Sequence, residues 1–198
     1  MQRDSRRVLG EYLVIAAQTG DRVASGQLAR LWQPALLRHA ARLTGDTELA
    51  RDTLQDAWID ILRGLGGLSD AAAFPAWAYR IVTRKSAATV RGLQRRRQTG
   101  AALAAEPVAS GDEGGRQTEA FADRGPLARA LAALPAGQRS AMALFYIDDF
   151  TVTEIAVALS VPAGTIKTRL MHGRRKMRAA LELPSPQTRD TGGQDDRK

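Results

Sequence analysis

The chain has 198 residues, no cysteine and two histidines, and its 29 Lys and Arg residues exceed its 21 Asp and Glu residues to give a net charge of +8. The lack of cysteine excludes a disulfide scaffold, a thiol nucleophile and a cysteine zinc site. The basic balance favours a polyanionic partner, of which nucleic acid is the common one. No apolar run approaches the roughly 18 residues that cross a bilayer, and Gly10 and Glu11 interrupt the stretch that would make a signal peptide, so we expect a cytoplasmic protein without a membrane partner.

Apolar residues recur mainly at helical spacing, and no strand-like alternation repeats with hairpin turns. We therefore predict an all-α fold of two small helical domains joined by a flexible linker. The linker is rich in glycine and holds five acids against two bases, a composition that buries too little apolar surface to order itself. The predicted parts are a helical domain at 1–98, an acidic linker at 99–124, a second helical domain at 125–182 and a disordered tail at 183–198.

Short polar residues, glycine and proline divide the first domain into helices. Asp21 starts one helix, in which Pro34 marks a kink or a new start. Asp46 or Thr47 caps the next helix. Pro75 suits the first turn of a further helix.

The helix that follows Asp46 carries an acidic stripe at Glu48, Asp52, Asp56 and Asp60. Residues four apart lie on one helix face, and like charges at this spacing repel. A solvated surface is the ordinary explanation of such a stripe. A basic protein partner is the second hypothesis, because the stripe lowers helix stability in an otherwise basic chain.

Residues 80–98 contain seven bases and no acid that could pair with them locally. Trp77 and Tyr79 lie just before this run. Cations that follow phosphates beside rings that stack on bases are typical of a nucleic-acid surface. Both rings can instead belong to the core, and a membrane-surface helix is disfavoured because Thr83, Ser86 and Thr89 dilute the apolar face.

The second domain contains a helix-turn-helix pattern, with a short helix at 153–159, a turn at 160–164 and a longer helix at 165–178. Residues 155–181 hold six bases and no acid, so the second helix offers a basic face to a major groove. Ser160 stands where many such turns have a left-handed glycine, at a cost of about 1 kcal/mol. A plain helical hairpin is the alternative.

Four residues of the second helix are spaced to point one way: Lys167, Thr168, Met171 and His172. Lysine can donate to guanine, threonine can bond to several acceptors, and methionine can contact a thymine methyl. The pattern therefore predicts a base-reading helix.

Three segments of the first domain, AAQTGDRVASGQLARLW, LLRHAARLTGDTELARDTLQDAW and AFPAWAYRIVTRKSAATVRGLQRRR, resemble region 2 of the extracytoplasmic function (ECF) group of sigma-70-type sigma factors. The segment LARALAALPAGQRSAMALFYIDDFTVTEIAVALSVPAGTIKTRLMHGRRKMRAAL resembles region 4 of the same group. The segments follow the order of the family and cover most of residues 16–181.

This resemblance implies a sigma factor that binds core RNA polymerase and promoter DNA and directs promoter recognition and transcription initiation. The first domain would bind the −10 element and the second the −35 element. The resemblance also implies control by an anti-sigma protein, and a specificity subunit with no catalytic site, cofactor or metal of its own.

The resemblance assigns a role to particular residues. It assigns polymerase docking to Asp52, Gln55 and Asp56. It assigns contacts with the −10 element to Trp77, Tyr79, Arg80, Arg84, Lys85, Arg91 and Arg95. It assigns contacts with the −35 element to Arg139, Gly164, Thr165, Lys167, Thr168, Arg169, Met171, His172, Arg174 and Arg175. The family often has Asn where Lys85 stands and Asp where Thr89 stands, so the −10 sequence preference stays open.

Three other functions are compatible with parts of the pattern. An operator-binding regulator would use the same helix-turn-helix without polymerase. A nucleic-acid enzyme such as a recombinase would need a nucleophile among arginines or clustered carboxylates, and the acidic pair Asp148 and Asp149 is interpreted instead as a helix-end or loop feature. A basic helical adaptor would bind protein only.

Overall fold

The computed structural model describes residues 2–103 and 125–182. Within these ranges the chain forms eight α-helices and two 3₁₀ turns and no strand, so the predicted all-α fold is confirmed. The first domain contains α1 (Gln2–Gln18), α2 (Arg22–Thr44), α3 (Thr47–Gly64) and α4 (Phe74–Leu103), with the 3₁₀ turns Leu65–Gly67 and Ala71–Ala73 before α4. The second contains α5 (Gly125–Ala132), α6 (Ala136–Tyr146), α7 (Val152–Leu159) and α8 (Ala163–Glu182).

The helices of the first domain start where the sequence predicts. The carboxylate of Asp21 caps α2 by accepting from the N–H groups of Val23 and Ala24, and that of Asp46 caps α3 by accepting from the N–H of Leu49. Pro75 is the second residue of α4, as expected. Pro34 lies inside α2, and the helix continues past it on an exposed face, where water can replace the missing backbone donor.

Two features of the first domain were not predicted. Helix α1 covers an N-terminal segment in which no helix was assigned from the sequence. Helix α4 continues to Leu103, five residues beyond the expected boundary at 98. The rest of the expected linker and the expected tail lie outside the described residues.

Helix α2 lies at the centre of the first domain and packs against α1, α3 and α4. Its Trp32 ring meets Phe74 of α4 edge-on, with ring centroids 6.0 Å apart. Buried alanines at helix contacts, among them Ala35, Ala40 and Ala57, let the backbones approach closely. The apolar faces of four helices thus form one core.

The predicted helix-turn-helix consists of α7, a turn and α8. Thr151 and Glu154 form a capping box at the start of α7. Ser160 ends α7 in the left-handed conformation, with φ of 54°. Where α8 crosses α6, a Cβ on Gly173 would lie 2.8 Å from Cγ of Met142, so this crossing requires glycine or a displaced methionine.

The two domains pack directly against each other. Helix α7 lies on α4, and α6 lies on α2. The ring of Phe150, just before α7, contacts Tyr79 of α4 at a centroid distance of 4.8 Å. One cluster of buried apolar residues therefore runs through both domains. The sequence left this relative placement open.

Within the described part of the chain, no helix combines the length and the apolar character that a bilayer crossing requires.

The left-handed conformation of Ser160 generates a stability prediction. Ser160→Gly removes the Cβ that disfavours this conformation, so we expect a gain of roughly 1 kcal/mol in the free energy of unfolding. Chemical denaturation followed by circular dichroism measures it. Ser160→Ala keeps the Cβ and is the control without a gain. Equal stability of the glycine and alanine variants would contradict the assignment of strain.

Candidate DNA and polymerase interfaces

The outward face of α8 exposes several of the side chains that the sequence predicts to read bases. Lys167, Thr168 and Met171 are exposed together, with Met171 at 57% exposure. Helical spacing brings Arg175 to the same side, since it follows Thr168 by seven residues. Ile166 and Leu170, with Gly173, point into the domain core. We name this outward side, with Gly164 at its start, the recognition face.

The remaining −35 candidates on α8 lie at the edge of the recognition face or away from it. Thr165 and His172 are half-buried, and the ring Nδ1 of His172 lies 3.3 Å from the Arg175 guanidinium. The side chain of Arg169 lies against Gly137 of α6. Arg174 donates to the hydroxyl of Tyr146 at 2.7 Å. Arg169 and Arg174 thus contact the domain itself as well as facing solvent.

Arg139 occupies a different environment from the one expected of a phosphate contact. It is buried in α6, and its guanidinium donates to the backbone carbonyl of Ala132 at 2.8 Å. Burial lowers the pKa of this guanidinium from its ordinary value, and the charge of Arg42 lowers it further. In this arrangement of the domains Arg139 is not accessible to DNA.

Four of the basic residues of α4 form an exposed stripe: Arg80, Arg84, Arg91 and Arg95. Helical spacing places Trp77 on the same side. The Trp77 ring is half-buried and packs against Phe74 at 6.1 Å between centroids. It also covers Gly64, where a Cβ would come within 2.9 Å of the ring. Trp77 therefore serves the core as well as the stripe.

Tyr79 is on the other side of α4 from the arginine stripe and is fully buried. Its ring lies 4.8 Å from the ring of His39 and 4.8 Å from that of Phe150. Burial raises the pKa of its hydroxyl, and nearby Asp148 adds to the increase. The expected stacking of Tyr79 on DNA bases is not possible in this arrangement. Helical spacing applied to the whole of α4 would have separated Tyr79 from the stripe.

Lys85 has an acidic partner, contrary to the expectation that the bases of α4 lack one. Its ammonium group lies 2.8 Å from a carboxylate oxygen of Asp60 on α3. Thr89, one turn later, contacts the hydroxyl of Thr53 on the same neighbouring helix. Lys85 and Thr89, the two positions that differ from the family pattern, therefore both contact α3.

The exposed face of α3 combines acidic and apolar side chains. Asp52, Gln55 and Asp56 are all exposed, as expected of a docking surface. Ile59 and Leu62 lie on the same face and are 45% and 46% exposed. Neither was predicted from the sequence to belong to a docking surface. Helical spacing would have found Ile59, which follows Asp52 by seven residues. We name these five residues the docking face.

Comparison with known proteins follows the same division of the chain. The Sigma-70 region 2 family matches residues 28–96, and the Sigma-70 region 4 family matches residues 124–177. The ECF RNA polymerase sigma factor SigM of Mycobacterium tuberculosis is 33% identical over 170 residues, which cover 85% of this chain and 83% of SigM. The chain belongs to the ECF group of the sigma-70 family.

Other relatives match this sigma factor over nearly their full length. RNA polymerase sigma-H factor of Pseudomonas aeruginosa is 29% identical, with 87% of this chain and 93% of the relative covered. The solved structure of CnrH in complex with the cytosolic domain of CnrY matches with a TM-score of 0.62 at 22% identity, over 89% of this chain and 99% of that chain. The sigma factor RpoE, in complex with the anti-sigma factor NepR from Bartonella quintana, also matches with a TM-score of 0.62, at 23% identity over 81% and 98%. These two structures share the fold.

Membership in this family gives the sigma factor its function. It binds core RNA polymerase and promoter DNA, and it directs promoter recognition and transcription initiation. The region 2 match lies in the first domain and the region 4 match in the second, and we refer to the two domains as region 2 and region 4.

Asp148 of the sigma factor makes contacts that its interpretation from the sequence, as a helix-end or loop feature, did not include. Its carboxylate accepts from Arg42 of α2 at 2.7 Å and lies 3.5 Å from Arg38. The exposed fractions of the Asp148 and Arg42 side chains are 2% and 8%. This ion pair is buried between region 2 and region 4.

His39 of α2 is fully buried beneath the same contact. Its Nε2 lies 2.9 Å from the hydroxyl of Thr83 on α4. Burial holds the pKa of His39 well below its usual 6.5, and the positive charge of Arg42 lowers it further. The folded state thus favours the neutral ring.

The lowered pKa of His39 predicts loss of stability in mild acid. The unfolded chain takes up a proton below about pH 6.5 while the folded chain does not, so the free energy of unfolding falls as pH drops, by at most ~1.4 kcal/mol per pH unit. Urea midpoints between about pH 7 and pH 5 measure this. His39→Gln should flatten the dependence, whereas His172→Gln, at a half-buried site, should keep it. A wild-type midpoint that does not change with pH would refute the role of His39.

Proposed function

We propose that this sigma factor reads the −35 element with the recognition face of α8, holds the −10 element with the arginine stripe of α4, and docks on core polymerase through the docking face of α3. The observation that carries the proposal is the segregation of charge. Two exposed basic faces and one exposed acidic-apolar face lie on three different helices. A protein that bound only DNA would not need the exposed acidic-apolar face.

The recognition face supplies the chemistry of direct readout. The Lys167 ammonium can donate to guanine O6 or N7, the Thr168 hydroxyl can bond to base edges, and Met171 can contact a thymine methyl. Lys167 and Thr168 stand near the N-terminus of the helix, which is the part that enters the groove in this motif. Thr165, Arg169, Arg174 and His172 surround this centre and are proposed as positioning or phosphate contacts.

The arginine stripe of α4 suits a backbone contact to the −10 element. Arg80 and Arg95 are fifteen residues apart, about 22 Å along the helix, so the stripe can follow several phosphates. Trp77 at its start offers a partly exposed ring for base stacking. Tyr79 becomes available to a base only when Phe150 moves off it.

The docking face suits a protein partner with basic and apolar surface. Asp52 and Asp56 offer charge that steers a basic partner. Ile59 and Leu62 offer apolar area that is buried on contact. Neither DNA face overlaps with it, so polymerase and promoter can be bound together.

Binding through two domains makes the promoter site bivalent. Each domain reads only a few bases, but polymerase holds the domains at one distance, so the second contact forms at a high effective concentration. The protein acts as a specificity subunit in the cytoplasm and has no catalytic site of its own. An anti-sigma protein controls it, a proposal supported by the two solved relatives, each of which is bound to a protein partner.

The alternative function is that of an operator-binding regulator, which predicts a different dependence of DNA binding on polymerase. Such a protein would bind promoter DNA equally well without polymerase. The docking face and the arginine stripe would then have no role. Both observations favour the sigma factor.

Removal of Lys167 tests the recognition face. In transcription with purified core polymerase, Lys167→Ala should lose about 1–3 kcal/mol of discrimination at one base pair of the −35 element, roughly a 5- to 150-fold loss of preference. Lys176→Ala, on the opposite side of the same helix, is the matched control with unchanged preference. Unchanged preference in Lys167→Ala would remove Lys167 from the recognition face. Equally tight promoter binding by the protein alone, with no stimulation of core polymerase, would refute the proposed function.

Charge reversal tests the docking face. Asp52→Lys and Asp56→Lys, made singly, should each weaken binding to core polymerase roughly tenfold or more, because a steering charge becomes repulsive. Equilibrium binding to immobilised core polymerase measures this. The double variant Val23→Lys/Gln27→Lys adds the same net charge at exposed positions of α2 and is the control. Normal binding by both reversal variants would contradict the docking assignment.

A further inference from the structure

The guanidinium of Arg174 on α8 is held by two aromatic residues at the end of α6. Its Nε donates to the hydroxyl of Tyr146 at 2.7 Å. Its central carbon lies 5.5 Å from the ring centroid of Phe145 and 5.7 Å from that of Tyr146, within the range at which an aromatic face attracts a cation. The two rings meet edge-on, with 4.9 Å between centroids. One hydrogen bond and two rings thus orient Arg174, although the side chain is exposed to solvent.

The backbone on both sides of this contact is fixed by region 4 itself. Tyr146 is the last residue of α6, and the N–H of Ile147 after it donates to the carbonyl of Ala143 at 2.9 Å. Gly173, which precedes Arg174, lies at the close crossing of α8 with Met142 of α6. Tyr146 follows Met142 by one helical turn, so it stands next to Arg174 whenever the two helices are packed.

The positive charge of Arg174 is oriented by the protein but not neutralised by it. Among the residues that the structure describes, Arg174 forms no ion pair with a carboxylate, and only its Nε has a hydrogen-bond partner. The N–H groups of the two terminal nitrogens form the planar fork that fits the oxygens of a phosphate. The contact with Tyr146 therefore leaves the anion-binding part of the side chain available to a ligand.

Arg174 stands at the edge of the recognition face. It follows Lys167 by seven residues, so the two side chains lie on the same side of α8, about 10 Å apart along the helix axis. When a recognition helix enters a major groove, the side chains at its centre face the bases, and those at its edge meet the phosphates that border the groove. A backbone phosphate of the −35 element is therefore the ligand that fits the charge and the position of Arg174.

We infer that Tyr146 is a positioning residue for promoter binding: its hydroxyl and ring hold Arg174 so that the terminal nitrogens face a backbone phosphate of the −35 element. The inference rests on the proposed function, because it concerns the same DNA surface. An unrestrained arginine loses rotamer freedom when it binds a phosphate. An arginine that Tyr146 already holds loses less, so the contact raises affinity for DNA without reading its sequence. Tyr146 was not among the residues predicted from the sequence to act in DNA binding.

Removal of the Tyr146 hydroxyl tests this role. Tyr146→Phe keeps the ring and removes the hydrogen-bond acceptor of Arg174. We expect the holoenzyme formed by full-length Tyr146→Phe and core polymerase to bind promoter DNA about three- to tenfold more weakly than the wild type. The loss should be the same for a preferred −35 sequence and for one with a changed base pair. Tyr12→Phe removes the same atom at an exposed position of α1 and is the control with unchanged binding. Normal binding by Tyr146→Phe would overturn the inference.

A double-mutant cycle distinguishes positioning of Arg174 from a direct contact of Tyr146 with DNA or a general effect on the fold. In the Arg174→Ala protein there is no guanidinium to orient, so adding Tyr146→Phe should weaken binding no further. Arg174→Ala should also reduce the slope of log affinity against log salt concentration by about one, as expected for the loss of one phosphate contact. Equal losses from Tyr146→Phe with and without Arg174, or an unchanged salt slope in Arg174→Ala, would overturn the inference.

The wild-type holoenzyme distinguishes failure of this inference from failure of the proposed function. If it shows promoter preference while Tyr146→Phe and Arg174→Ala act independently, only the positioning role fails. If it shows no promoter preference, the proposed function fails. The same cycle, measured for the full-length protein on duplex DNA without polymerase, then decides the positioning role, because phosphate contacts do not depend on base sequence. Coupling of Tyr146 to Arg174 in that binding supports the role, and additive losses overturn it.

Discussion

The carboxylate of Asp148 is almost completely buried, and both of its cationic partners belong to the other domain. A buried ion pair contributes little net stability, because desolvation of the charges offsets most of their attraction. Its effect is geometric, since only one placement of region 4 brings the carboxylate to Arg42. The apolar contact between Phe150 and Tyr79 supplies surface burial beside it. The burial of Tyr79 beneath Phe150 and the position of α7 on α4 both depend on this placement.

Three exposed surfaces remain outside that contact, and their chemistry differs. The recognition face and the arginine stripe carry positive charge, whereas the docking face carries negative charge around Ile59. Each helix buries one side in the core and leaves the other exposed. A basic chain thus presents one acidic surface on a helix separate from its two basic faces.

The features that the sequence predicted correctly are local. A carboxylate at Asp21 or Asp46 caps the helix that follows it within three residues, and Ser160 adopts its left-handed conformation within a single turn. The recognition face was predictable because helical spacing alone places Lys167, Thr168 and Met171 together. Ile59 and the side of α4 on which Tyr79 lies were missed although helical spacing contains them, whereas other missed features depend on residues distant in sequence. The burial of Arg139, the pairing of Lys85 with Asp60 and the covering of Tyr79 all involve a second helix whose position the local pattern does not contain.

The sequence by itself determined most of the helices, their buried and exposed sides and the family, because these follow from spacing, capping and motifs within short segments. Only the tertiary structure decided how region 4 sits on region 2. The contacts that fix it join residues 106 positions apart, as in Arg42 with Asp148, and 147 positions apart, as in Arg7 with Glu154. A connector between the domains permits many placements, and the choice among them is made by a few charges and rings that meet only when the chain is folded.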